Sequence, residues 1–140
     1  MGGALSGLRI LDLSSVLMGP FATQLMADMG ADVIKIEPPT GDTVRGIGPM
    51  RNPGMGSNFL HVNRNKRSLV LNLKKADGLA AFFKLVETAD VVVYNIRPQA
   101  MARLGIDYER PKPLTPSSFM QACMATVRKA LMRANLHTMI

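Results

Sequence analysis

Val16-Leu17-Met18-Gly19-Pro20 places a glycine and a proline directly after a short apolar run. A helix starting there presents free backbone N–H groups, and these can receive an anionic group. A plain strand-to-helix turn accounts for the same residues and is the simpler reading. Two further segments carry candidate groups. Asn63-Arg64-Asn65-Lys66-Arg67-Ser68 is compactly basic and suits phosphate, although a charge run is more often a solvated loop. Asn95-Ile96-Arg97-Pro98 follows four apolar residues; Asn95 can bond a ligand or cap a helix opening at Pro98, and the spacing favours the cap.

Other chemistries lose their footing. His61 and His137 have no neighbouring metal-ligand or triad partners, and nothing around Cys123 activates a thiol. One cysteine allows neither an intramolecular disulfide nor a cysteine-built metal site, so no metal is expected. The chain holds no G-x-G-x-x-G and no P-loop, which leaves a standard dinucleotide or triphosphate site without support.

The elements that must position these groups alternate between two periods. Leu8–Leu13 reads as a first buried strand, and Gly19-Pro20 opens a helix with Phe21, Ala22, Leu25, Met26 and Met29 as its apolar face. Gly30 closes that helix, and Asp32–Glu37 is the next strand, ended by Pro38-Pro39. Thr40–Asn63 shows no sustained period and reads as a long surface loop. Ser68–Leu73 is a third strand, and a helix follows Lys75-Ala76-Asp77-Gly78 with Leu79, Phe82, Phe83 and Val86 on its apolar face. Ala89–Tyr94 is a fourth strand, and Pro98–Leu104 a short helix closed by Gly105. Strands alternating with helices predict an α/β, Rossmann-like layered fold with a mostly parallel sheet and flanking helices. Ligands of such sheets bind outside the carboxyl ends of the strands, where the first and third candidate segments and the stretch after Leu71 all fall.

The net charge of +7 invites a nucleic-acid reading. Residues 1–110 carry thirteen Lys/Arg against ten Asp/Glu, whereas residues 111–140 carry four basic residues, no acid and no glycine. Most of the excess therefore belongs to the last thirty residues, and no nucleic-acid partner is expected of the rest. No apolar run is long enough to span a bilayer, and the first residues lack the flank and core of a secretory signal. A cytoplasmic protein without a membrane partner is expected.

Taken in order, Gly7–Leu13, Gly19-Pro20-Phe21-Ala22-Thr23, Gly30–Glu37, Asn65–Leu69, Ala89-Asp90-Val91, Asn95 and Leu104-Gly105 resemble the family III CoA-transferases, a group that includes formyl-CoA transferase and the α-methylacyl-CoA racemases. The resemblance covers about residues 5–109. It implies a large Rossmann-like CoA-binding domain, a smaller second domain, and a homodimer of interlocked chains. It also implies that coenzyme A, as substrate, moves between an acyl-CoA and a carboxylic acid through an aspartyl-CoA intermediate. By position, Val16, Leu17 and Met18 line the CoA site, Leu71 lies against the adenine, and Lys74 lies near the phosphates. Asn95, Ile96, Arg103 and Leu104 contact the pantetheine and phosphate region. Pro38 stands where some relatives carry a basic residue, which removes one implied phosphate contact.

The nucleophilic aspartate implied by the resemblance lies beyond the matched region; Asp107 and Glu109 are inside it and are not that residue. The chain is thus expected to be an amino-terminal part of such an enzyme, inactive alone, with no catalytic residue of its own. From about residue 110 the family pattern stops. Read one base out of frame, with synonymous codons chosen freely, Ser117–Ile140 can spell G-Y-G, G-P-Y and Y-D elements of the family type. Residues 110–140 are therefore expected to be an aberrant, frameshifted tail outside the family fold. The alternative is a genuine terminus forming an amphipathic helix over Phe119–Leu136. Three other functions stay open: a racemase, a non-catalytic CoA-binding module, and nonspecific nucleic-acid binding through the tail.

Overall fold

A computed structural model describes residues 2–106 and the backbone of 119–122. Strand β1 (Arg9–Asp12) leads into helix α1 (Met18–Asp28), then strand β2 (Asp32–Glu37). A single 3₁₀ turn, Thr43–Gly46, and helix α2 (Ser57–Val62) precede strand β3 (Arg67–Val70). Helix α3 (Ala76–Val86), strand β4 (Val91–Tyr94), helix α4 (Pro98–Arg103) and strand β5 (Phe119–Ala122) complete the order. The sheet runs β3-β2-β1-β4-β5 with every neighbour parallel. Leu11 sits at the centre, opposite Ile34 on one side and Val92 on the other.

The α/β reading holds, and the element order follows the sequence closely. Gly30 closes α1 at φ 99°, with its N–H on the Ala27 carbonyl and the Ala31 N–H on the Met26 carbonyl. Gly105 repeats that arrangement at the end of α4, with φ 69° and its N–H on the Ala102 carbonyl. Only a residue free to adopt positive φ closes both orphan carbonyls this way.

Two expectations need correction. Thr40–Asn63 is not all loop. Asp42 caps the 3₁₀ turn by accepting the Val44 N–H, and the segment holds α2, anchored by buried Phe59 and Val62. The second concerns α1, whose apolar stripe faces the sheet only in part, through Met26. Phe21, Leu25 and Met29 are exposed, Ala22 and Met26 are half-buried, and the buried face is Gly19, Pro20, Thr23, Gln24 and Ala27. The sheet beneath its amino-terminal half carries charged side chains, so small and polar residues make the contact there. α3 behaves as expected, with Phe82 and Val86 fully buried and Leu79 and Phe83 packed beside them.

Two apolar clusters hold the layers together. The larger lies under α3 and α4 and joins Leu11, Leu13, Ile34, Ile36 and Val92 to Phe82, Val86, Met101 and Ile106. The smaller lies under α1 and joins Ile10, Val33 and Val93 to Ala27 and Ala31. β5 lies in the segment set apart by composition, so the sheet extends into it at 119–122; the rest of the tail, and with it most of the alternative helix over 119–136, lies outside the described residues. Among the described residues, no helix is long and apolar enough to cross a membrane.

Candidate functional site

Period-two alternation sends every second residue of β1 and β2 to the α1 face. At the carboxyl ends those residues are Asp12, Lys35 and Glu37, all buried. A buried charge must be paired, and each of the three is. Asp12 Oδ2 accepts from the Thr23 hydroxyl at 2.7 Å and from Lys66 Nζ at 2.9 Å. Its Oδ1 accepts the Ser14 N–H at 2.9 Å and the Ser14 hydroxyl. Lys66 Nζ also reaches the Pro20 carbonyl at 2.7 Å and Asn63 Oδ1 at 2.9 Å, so its three donors meet three acceptors. Burial pushes the Lys66 ammonium below its usual range, and the Asp12 charge and hydrogen bond only partly restore it.

Lys35 Nζ donates to Asp42 Oδ2 at 2.9 Å and to the Ser14 carbonyl at 2.6 Å. Glu37 receives a forked pair of bonds from Arg45, each 2.7 Å, together with the Ser68 hydroxyl at 3.1 Å and the Asp42 N–H at 3.0 Å. Burial raises the Glu37 carboxyl, but the Arg45 and Asp42 hydrogen bonds outweigh it and hold the carboxyl below its usual range. The Arg45 guanidinium lies 3.7 Å from the Phe59 ring centre and so ties α2 to this network.

The β1–α1 loop is pinned from both sides. The Asn95 side-chain amide accepts the Ser15 N–H at 3.0 Å and donates to the Ser15 carbonyl at 2.8 Å. Val16 sits at φ 72°, a left-handed conformation that strains a β-branched residue by about 1–3 kcal/mol. Its N–H points at both Asp42 oxygens, 3.3 Å from each.

Two cavities open beside this loop at the carboxyl edge of the sheet. One, of about 290 Å³, is walled by Ser14, Ser15, Lys35, Thr40, Gly41, Asp42 and Thr43. The other, of about 170 Å³, is walled by Leu71, Asn72, Leu73, Lys74 and Leu104. Leu13, Ile36, Glu37, Pro38 and Ile96 line both, so the two are compartments of one cleft.

Of the sequence candidates, Leu71, Lys74, Ile96 and Leu104 converge on the smaller cavity, and Asn95 stands behind it as the pin on Ser15. Val16, Leu17 and Met18 lie exposed on the pinned loop and line neither cavity. Arg103 is exposed on α4 and also lines neither. Pro38 lies between the compartments.

Two residue readings change. Asn95 does not cap α4, whose N-cap is Arg97 without a side-chain bond; its amide reaches back across the sheet edge instead. The basic segment is not solvated throughout. Lys66 points inward, Arg64 pairs with Asp28, and Arg67 pairs with Asp32. His61 is exposed on α2, and no group of three or more metal-ligating side chains occurs among the described residues. Cys123 and His137 lie outside the described residues. Sequence reasoning missed Asp12, Lys35 and Asp42, and took Lys66 only as part of the basic segment. The available signal was a charge inside an apolar strand, as in Ile10-Leu11-Asp12-Leu13 and Val33-Ile34-Lys35-Ile36, where only a paired charge is stable.

A family model described as CoA-transferase family III matches residues 5–117 of this chain. The chain belongs to CoA-transferase family III. A relative from Haloarcula marismortui, a succinyl-CoA:mesaconate CoA-transferase, is 48% identical over 118 residues, covering 81% of this chain and 30% of its own length. An acetyl-CoA:oxalate CoA-transferase from Acetobacter aceti is 45% identical over 118 residues, covering 81% of this chain and 29% of its own. Among solved structures, a CAIB/BAIF family protein from Brucella suis superposes with a TM-score of 0.80 at 35% identity, over 86% of this chain and 33% of that one. The chain thus spans about a third or less of the length of these relatives. The matched family III segment contains the cleft and all nine candidate residues.

Proposed function

We propose that residues 1–109 form the coenzyme A-binding part of an enzyme that transfers CoA between carboxylic acids. The observation that carries this reading is the convergence of Leu71, Lys74, Ile96 and Leu104, from three separate loops, on one small cavity at the carboxyl edge of a parallel sheet. CoA offers a flat apolar ring for the leucines and phosphates for the exposed Lys74. In this reading Val16, Leu17 and Met18 take the pantetheine arm, Asn95 and Ile96 shape its path, and Arg103 meets a phosphate from outside the cleft.

Transfer needs a free carboxylate that attacks the acyl-CoA carbonyl and expels CoA thiolate, leaving a mixed anhydride. The thiolate then attacks the enzyme's carbonyl of that anhydride, which releases the donor carboxylate and leaves CoA as an enzyme thioester. Asp12, Glu37 and Asp42 are each held by a cation and by further hydrogen bonds. A carboxylate so neutralised is a poor nucleophile, which supports placing the reacting aspartate outside the described residues. The relatives' names favour transfer over racemisation. The proposal further includes a cytoplasmic homodimer, supported by the exposed Phe21, Leu25 and Met29 stripe of α1.

Calorimetric titration of the 140-residue chain with CoA tests the reading. Saturable binding that Leu104→Asp and Lys74→Ala each weaken is expected, with no turnover of acyl-CoA and carboxylate by the chain itself. Absent binding, or binding indifferent to both substitutions, sinks it. The segment from residue 110 is proposed to be frameshifted; resequencing its coding DNA tests that, and a confirmed frame refutes it.

A further inference from the structure

Val16 is a β-branched residue at φ 72° that is 47% exposed. The fold gains little from burying it, and glycine adopts the same backbone without strain. Packing therefore does not explain a valine here, yet three side chains from three elements hold this stretch of backbone. Lys35 of β2 takes the Ser14 carbonyl, Asn95 after β4 takes both backbone groups of Ser15, and Asp42 takes the Val16 N–H. Asp42 is itself fixed by Lys35 at 2.9 Å, by the Val44 N–H at 3.2 Å, and through its own N–H by Glu37 at 3.0 Å. Lys35 and Asp42 are almost wholly buried, so the holding groups are rigid while the held residues Val16, Leu17 and Met18 project outward.

Resting on the CoA reading of this site, we infer that Asp42, locked by Lys35, is a positioning residue that holds Val16 in its strained conformation and so fixes the Val16–Met18 edge for an acyl-CoA ligand. Strain of this kind persists only where the surroundings over-determine it, and it collects at ligand clamps. The Lys35–Asp42 pair also forms a wall of the larger cavity, so one buried ion pair shapes both the cavity and the exposed edge beside it.

The test uses the full chain, CoA as probe, and two single variants with their combination. Asp42→Asn keeps the size of the side chain but removes the charge that Lys35 requires; CoA affinity is expected to fall about tenfold while unfolding stays cooperative. Val16→Gly, which folds without strain, is expected to keep or raise stability yet lower CoA affinity about threefold. In a double-mutant cycle read by urea unfolding, Asp42→Asn should cost more stability when residue 16 is already glycine, because with valine the loss of the clamp also releases strain. Unchanged CoA affinity in both single variants overturns the inference. Additive stability losses overturn the clamp while leaving the CoA reading intact. Wild-type chain that binds no CoA overturns the CoA reading and, with it, the ligand-facing role given to Asp42.

Discussion

Lys66 Nζ lies 2.9 Å from Asp12 Oδ2, with both side chains at most 1% exposed, although the residues are 54 positions apart. The pair joins the end of β1 to the segment before β3, and through the Pro20 carbonyl and Thr23 it also fixes the start of α1. Three elements thus depend on one buried contact.

Removing one member of that contact leaves the other charge buried without its partner. Lys66→Met is expected to cost about 3–5 kcal/mol in urea unfolding. The double variant Asp12→Asn with Lys66→Met should lose less than the sum of the single losses, because neither charge then remains. Additive losses would show that the two side chains act independently.

The Glu37 carboxyl gives stability a defined pH dependence. Its folded pKa lies below its ordinary value of 4.5, because Arg45 and the Asp42 N–H outweigh the effect of burial. The unfolded chain therefore binds this proton more readily than the folded chain. The stabilisation is present above 4.5 and is lost as pH falls through the lower folded value. Glu37→Gln should flatten the acid limb of a stability–pH curve relative to the unmodified chain. An identical acid limb in both proteins contradicts this assignment.

Gly78 is in the first turn of α3 and packs against backbone. A Cβ there would sit 2.2 Å from the Asn72 carbonyl oxygen and 2.8 Å from its carbon, neither of which can move aside as a side chain could. Helix propensity alone would favour alanine by about 1 kcal/mol. The clash wins, and Gly78→Ala is expected to destabilise by about 1–3 kcal/mol. Gly46→Ala, with nothing within 4 Å of the added atom, should stay within about 0.5 kcal/mol and serves as the control.

Cations on this chain are not equivalent toward a phosphate-bearing ligand. Lys74 is exposed at the smaller cavity, whereas Arg64 is engaged with Asp28 away from it. Lys74→Ala should weaken CoA about tenfold at low salt, with the difference shrinking as ionic strength rises. Arg64→Ala should change the affinity less than about twofold. The reverse ranking would place the phosphates over the basic segment.

Much of the fold is legible along the chain because its signals are local. Gly30 and Gly105 mark helix ends, since a left-handed C-cap needs glycine wherever it occurs. The Leu79, Phe82, Phe83 and Val86 spacing of α3 reads correctly because that helix covers an apolar sheet face. The same rule fails for α1, where Phe21, Leu25 and Met29 turn outward; the sheet under its start presents Asp12 and Lys35, and only polar partners satisfy them. α2 escapes notice because six residues between glycine-rich turns are too few to show a period, and Phe59, Val62 and the Arg45 contact stabilise it from outside.

By itself the sequence determined the α/β order of elements and, through its motifs, the resemblance to CoA-transferase family III. Periodicity and capping are properties of neighbouring residues, so they survive in a linear string. Only the tertiary structure decided which charges are available. Lys66 and Lys74 are indistinguishable as letters in basic stretches, yet one is sealed against Asp12 and the other stands open at the cavity. The difference is desolvation: a charge removed from water must find its counter-charge across the fold, and the position of that partner depends on how the strands are ordered in space.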